Sequence, residues 1–89
     1  MKTSPNQIVI IKPDDWHLHI RDGEIMKAVL PASYRWARRA IIMPNLISPV
    51  VTHEDACAYL TRIRSCIEET VDFEPMLTLY LTEETNAED

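Results

Sequence analysis

The period of apolar positions changes several times along the chain, and each change marks an element. Residues 7–12 (QIVIIK) form a β-branched run that Pro13 stops, which predicts a strand. Residues 15–21 (DWHLHIR) alternate polar and apolar side chains with period two, which predicts a second strand. From Glu24 to Ala37, the residues Ile25, Met26, Val29, Leu30, Tyr34 and Ala37 recur at helical spacing, with Asp22 ahead of them as an N-cap. Pro31 predicts a break or kink in that helix. Residues 40–43 (AIIM) are short, apolar and closed by Pro44-Asn45, the pattern of a buried strand. Thr52 with Asp55 three positions on forms a capping box, and Ala56, Tyr59, Leu60, Ile63, Cys66 and Ile67 then follow at spacings that predict a helix. Residues 73–81 (FEPMLTLYL) read as a strand covered on both faces, with Pro75 tolerated near its start. The tail, residues 82–89, is polar and acidic, and Thr85 with Glu88 repeats the capping spacing as if a third helix were starting.

Strands separated by helical crossovers pair in parallel, so the order predicts an α/β fold. A single glycine, Gly23, leaves few sites for tight hairpin turns and argues against an all-β fold. With 89 residues the chain holds one domain at most, read here as a single partial domain over 1–89. A three-stranded parallel sheet leaves edges and part of a face uncovered. Leaving about five large apolar side chains wet forfeits roughly 1.5–3 kcal/mol each, comparable to a domain's whole stability of ~5–15 kcal/mol. The isolated chain is therefore expected not to fold stably as a monomer.

Lys and Arg number 9 against 14 Asp and Glu, a formal charge of −5, so the field repels polyanions and nucleic acid is an unexpected partner. The first residues lack the apolar core of a secretory signal, and no apolar run nears the ~20 residues that span a bilayer, which points to a soluble, cytoplasmic protein without a membrane partner. Cys57 and Cys66 lie nine positions apart on one expected helix, roughly 13 Å, beyond disulfide reach, and are expected as reduced thiols.

Side chains at i, i+2 and i+4 of a strand share a face, so His17, His19 and Arg21 are expected to project together, with Leu18 and Ile20 opposite. Two imidazoles at one depth suit a zinc-like ion, and a guanidinium beside them offers a planar fork to a carboxylate. In parallel α/β folds the functional rim lies at the carboxyl ends of the strands, where Arg21 and Asn45 both fall. The plainer readings are a solvated strand-end charge for Arg21 and turn chemistry for Asn45. His53, in the first turn of a helix, is expected to be exposed and has no assigned role. Trp16, Trp36 and the apolar helix stripe including Tyr59 read as packing, and Asp14 and Asp15 as residues shaping the turn into the strand.

At residues 13–23 (PDDWHLHIRDG), and again at 39–45 (RAIIMPN), the chain resembles the dihydroorotase family, of the shorter bacterial type within the amidohydrolase superfamily. The resemblance runs through residue 81 but covers only the first quarter or so of the family's length. It implies the N-terminal portion of a TIM (β/α)₈ barrel, a fold of ~250 residues or more, here a preceding strand plus three barrel strands and two helices. It further implies a cyclic amidohydrolase interconverting N-carbamoyl-L-aspartate and L-dihydroorotate in pyrimidine synthesis at a binuclear zinc centre, often as a homodimer. By that likeness His17 and His19 bind the more buried metal, and Arg21 and Asn45 hold the substrate carboxylate. The family's carboxylated lysine, two further histidines and catalytic aspartate come from later strands, and none is in this chain. Ser48-Pro49 stands where the family usually carries two prolines, which bears on the stiffness of that loop. Two other readings compete. One is a non-catalytic piece needing a complementary chain; the other is a small cupin, since His17, His19 and Glu24 also fit a His-x-His-x₄-Glu metal spacing.

Overall fold

The computed structural model describes residues 9–89, and five elements follow in the order β1 (Asp14–Leu18), α1 (Gly23–Tyr34), β2 (Arg39–Ile42), α2 (His53–Ser65) and β3 (Glu74–Leu77). The strands form one parallel sheet in the order β1-β2-β3, as strand-helix-strand connections require. The strand expected over 7–12 is not found where it can be judged: residues 9–12 carry no strand, and Gln7 and Ile8 lie outside the described residues.

Both helices start where their side chains supply acceptors for orphan amides. The Asp22 carboxylate accepts from the Gly23 N–H, and at α2 the Thr52 hydroxyl accepts from the Asp55 N–H while the Asp55 carboxylate accepts from the Thr52 N–H. Backbone hydrogen bonds at Val51 and Thr52 hold the Asp55 carboxyl below the usual carboxylate range. Pro31 lies inside α1 and does not end it, because the helix runs on to Tyr34 and the Pro31 carbonyl still accepts from the Arg35 N–H. β3 is shorter than residues 73–81, because past Leu77 no neighbouring strand pairs with the chain, and the Tyr80 N–H instead donates to the Val50 carbonyl. No third helix forms in the tail. The Thr85 hydroxyl donates to the Val51 carbonyl, and the Asp89 carboxylate accepts from the His53 N–H, which folds 82–89 back on the start of α2.

The core gathers Ile20, Met26, Leu30, Ala37, Ala40, Ile42, Val50, Tyr59, Ile63 and Phe73. The apolar stripe of α1 is only half used: Met26 and Leu30 are buried, whereas Ile25 and Val29 are exposed. Trp16 and Trp36, expected as packing residues, are 56% and 46% exposed. Trp16 has the Arg39 guanidinium over its ring at 5.6 Å in place of a hydrophobic layer. Asp14 does not shape a turn either. Hydrogen bonds from Arg39 hold its carboxyl below the usual range, the charges of Arg39 and Arg38 adding to them against the opposing effect of desolvation, and the pair ties β1 to β2.

Pairing of β2 with β3 is regular, from Arg39↔Glu74 to Ile42↔Leu77. Between β1 and β2 it is not: Asp14↔Arg39 and Asp15↔Ala40 are followed by Leu18↔Ile42, so β1 carries one more residue than its partner between Asp15 and Leu18. This bulge falls at Trp16-His17. The His17 N–H donates to the Asp15 carboxylate at 3.0 Å, which satisfies a backbone donor next to the disrupted ladder.

Candidate metal and carboxylate site

The end of β1 brings His17 and His19 together. Their Nε2 atoms lie 3.0 Å apart and their rings meet edge-on with centroids 4.9 Å apart. Two nitrogens bound tetrahedrally to one zinc-like ion at roughly 2.0–2.1 Å stand about 3.3 Å apart, so a small opening of the pair would let it fit one metal as two adjacent ligands. The same approach suits a hydrogen bond between the rings, in which one Nε2 donates and the other accepts. Among the described residues no cluster of three or more His, Cys, Asp or Glu is arranged to hold an ion, so the two imidazoles have no third such group beside them there. Glu24 does not join them: it sits on α1 and pairs with Lys27 at 3.4 Å. A parallel sheet with two helices, and Glu24 turned to Lys27, removes the cupin reading.

Arg21 departs from the expected face. β1 ends at Leu18, and Arg21 has φ of 59°, a left-handed conformation that takes it out of the strand's alternation. Gly23 follows with φ of 58°, where a glycine carries no penalty. This turn carries Arg21 to an open hollow of about 710 Å³ lined by Arg21, Asp22, Ile25, Asn45, Leu46, Ile47 and Ser48. Asn45 reaches the same hollow from the loop after β2. That loop is closed by the Pro44 carbonyl, which accepts from both the Leu46 and Val50 N–H groups at 3.0 Å, so its shape does not depend on a second proline at position 48. The four residues expected at one rim thus fall into two pairs, His17 with His19 and Arg21 with Asn45, and the histidines do not line the hollow.

The electrostatics of the hollow favour an anion. Arg21 makes no ion pair among the described residues. Its acidic neighbour Asp22 is occupied, because Arg62 donates from Nε and Nη2 to the two carboxylate oxygens at 3.0 and 2.9 Å. Burial opposes the charge on Asp22, but hydrogen bonds from Arg62 and from the Gly23 N–H outweigh it and hold the carboxyl below the usual range. Tyr59, read from the sequence as simple core, is buried and uses its hydroxyl to donate to the Arg21 carbonyl. Burial, with the nearby Asp22 charge, pushes the phenol up to about 12, so it remains a donor. Sequence reasoning missed both Tyr59 and Arg62 as parts of the site. The available signal was that a buried tyrosine needs a partner for its hydroxyl, and that positions 59 and 62 are neighbours on one helix face.

Comparison with known proteins agrees with these elements. No protein-family model matches the chain. Over 82 residues, 92% of this chain, it is 56% identical to the dihydroorotase of Jannaschia sp. and 55% identical to that of Ruegeria sp., in each case covering 24% of the relative. The dihydroorotase of Delftia acidovorans is 53% identical over 83 residues, 24% of its length. Among solved structures, a dihydroorotase from Campylobacter jejuni superposes with a TM-score of 0.75 at 39% identity, over 80% of this chain and 21% of that one. The dihydroorotase of Saccharomyces cerevisiae, solved in complex with 5-fluoroorotic acid, shares the fold with a TM-score of 0.71 at 24% identity, over 82% of this chain and 20% of its own. The chain spans about a quarter of the length of the curated relatives it matches. With its parallel sheet, crossover helices and His-x-His strand end, the chain has the fold of an N-terminal portion of a TIM barrel and is similar to about a quarter of the length of the dihydroorotases it matches.

Proposed function

We propose that this chain supplies the metal-anchoring and carboxylate-holding quarter of a zinc-dependent dihydroorotase that interconverts L-dihydroorotate and N-carbamoyl-L-aspartate in cytoplasmic pyrimidine synthesis, the assembled enzyme being a homodimer. The observation that carries the reading is the 3.0 Å approach of the His17 and His19 nitrogens, together with a hollow in which Arg21 has no acidic partner among the described residues. His17 and His19 hold one ion through neutral imidazole nitrogens. A zinc-like ion held by His17 and His19 would supply Lewis-acid chemistry, lowering the pKa of bound water from about 15.7 toward about 7. Arg21 accepts the substrate carboxylate on its planar fork, and the Asn45 amide donates a further hydrogen bond, so the reacting amide is oriented before any bond changes. Ile25, Leu46 and Ile47 give the hollow apolar walls beside that contact.

Among the described residues this quarter holds two donors of the proposed metal site, and the remainder of a barrel completes it. Exposed Ile25, Val29 and Ile47 support the need for such a cover. The test is to seat the chain in place of the matching stretch of the Jannaschia dihydroorotase, then measure zinc content and turnover of dihydroorotate. The assembled enzyme is expected to be active, His17→Ala and His19→Ala are expected to lose zinc and activity together, and Arg21→Met is expected to raise KM. Full zinc occupancy in both histidine variants refutes the metal assignment.

A further inference from the structure

The turn that carries Arg21 is held by a second element. α2 is joined to it across 38 residues by the Tyr59 hydroxyl on the Arg21 carbonyl and across 40 residues by the Arg62 fork on Asp22. The two α2 residues are themselves coupled, since the Arg62 guanidinium lies over the Tyr59 ring at 5.3 Å. What they hold is a non-glycine residue with φ of 59°, a conformation that persists only where surrounding contacts over-determine it. An unclaimed Asp22 carboxylate, one residue from Arg21, would compete with any anionic ligand for that guanidinium.

We propose that Tyr59 and Arg62 are positioning residues for the Arg21 guanidinium: Tyr59 locks the left-handed turn through the Arg21 carbonyl, and Arg62 claims Asp22, leaving Arg21 free for a carboxylate ligand. This rests on the reading of Arg21 as the carboxylate holder. Neither residue lines the hollow, so both act through others. Tyr59 restrains a backbone, and Arg62 removes a competing charge. Arg62 also needs its planar fork, because it binds both carboxylate oxygens at once.

The experiment uses the assembled enzyme described above, with dihydroorotate as substrate and zinc content as the structural control. Tyr59→Phe, which removes a single oxygen, is expected to raise KM roughly threefold to tenfold, the equivalent of one hydrogen bond, with kcat within about twofold and zinc content unchanged. Arg62→Met is expected to raise KM at least as far, with Arg62→Lys recovering part of the loss. Should Arg62→Met fail to fold, Tyr59→Phe still decides the matter. Unchanged KM in Tyr59→Phe, or a parallel fall in kcat and zinc content that marks general damage, overturns the proposal. If Arg21→Met itself leaves KM unaltered, the carboxylate role of Arg21 fails first and the positioning role falls with it; if Arg21→Met raises KM while Tyr59→Phe does not, only the positioning role is lost.

Discussion

The left-handed backbone at Arg21 makes a quantitative prediction that separates the chemistry of a side chain from the strain of its backbone. Two substitutions remove the guanidinium equally: Arg21→Ala keeps a Cβ at φ of 59°, and Arg21→Gly does not. An L-residue in the left-handed region carries about 1–2 kcal/mol of strain relative to the right-handed helix. Glycine escapes that strain but loses about 0.5–1 kcal/mol more conformational entropy on folding. The difference favours glycine by about 1 kcal/mol or somewhat less. In the assembled enzyme, urea midpoints at constant slope should therefore rank Arg21→Gly above Arg21→Ala. Both variants should show the same rise in KM for dihydroorotate, because both lack the fork. An alanine variant as stable as the glycine variant, or more so, would mean that the turn is not left-handed in solution, and the account of Tyr59 as its lock would lose its foundation.

Other consequences are simpler to state. Thr52→Ala removes one half of the α2 capping box and should cost about 1 kcal/mol, read as a lower urea midpoint; an unchanged midpoint would show that the Asp55 half suffices. The Asp22 carboxyl is held below its ordinary value of about 3.9. Its contribution to stability is then fully present above the unfolded value and is lost as pH falls through the lower folded one. Acid denaturation of the enzyme should begin at higher pH in Arg62→Met, and a superimposable acid limb would contradict the bidentate pair. The isolated chain exposes Ile11, Ile47 and Leu81 almost fully, and by circular dichroism it should lack a cooperative melt that is independent of concentration. A sharp, dilution-insensitive transition would show that the three-stranded sheet is self-sufficient.

The local devices of this protein are written in its residue order. The Thr52–Asp55 box and the Asp22 cap depend on partners within a few positions, and the spacing of Ala40 with Ile42 and of Tyr59 with Ile63 marks which side of each element is apolar, so residue order alone specifies them. The pairing of two imidazoles belongs to the same class, since His17 and His19 are adjacent members of one extended segment. Tertiary structure decided the rest. The extra residue in β1 exists only relative to the register of β2, and a strand read by itself shows regular alternation. The reversal of Arg21 into the hollow, and the claim of Arg62 on Asp22, join side chains some 40 positions apart. Such contacts are set by how the parallel sheet brings α2 against the turn that follows β1, and no periodicity within either element records that distance.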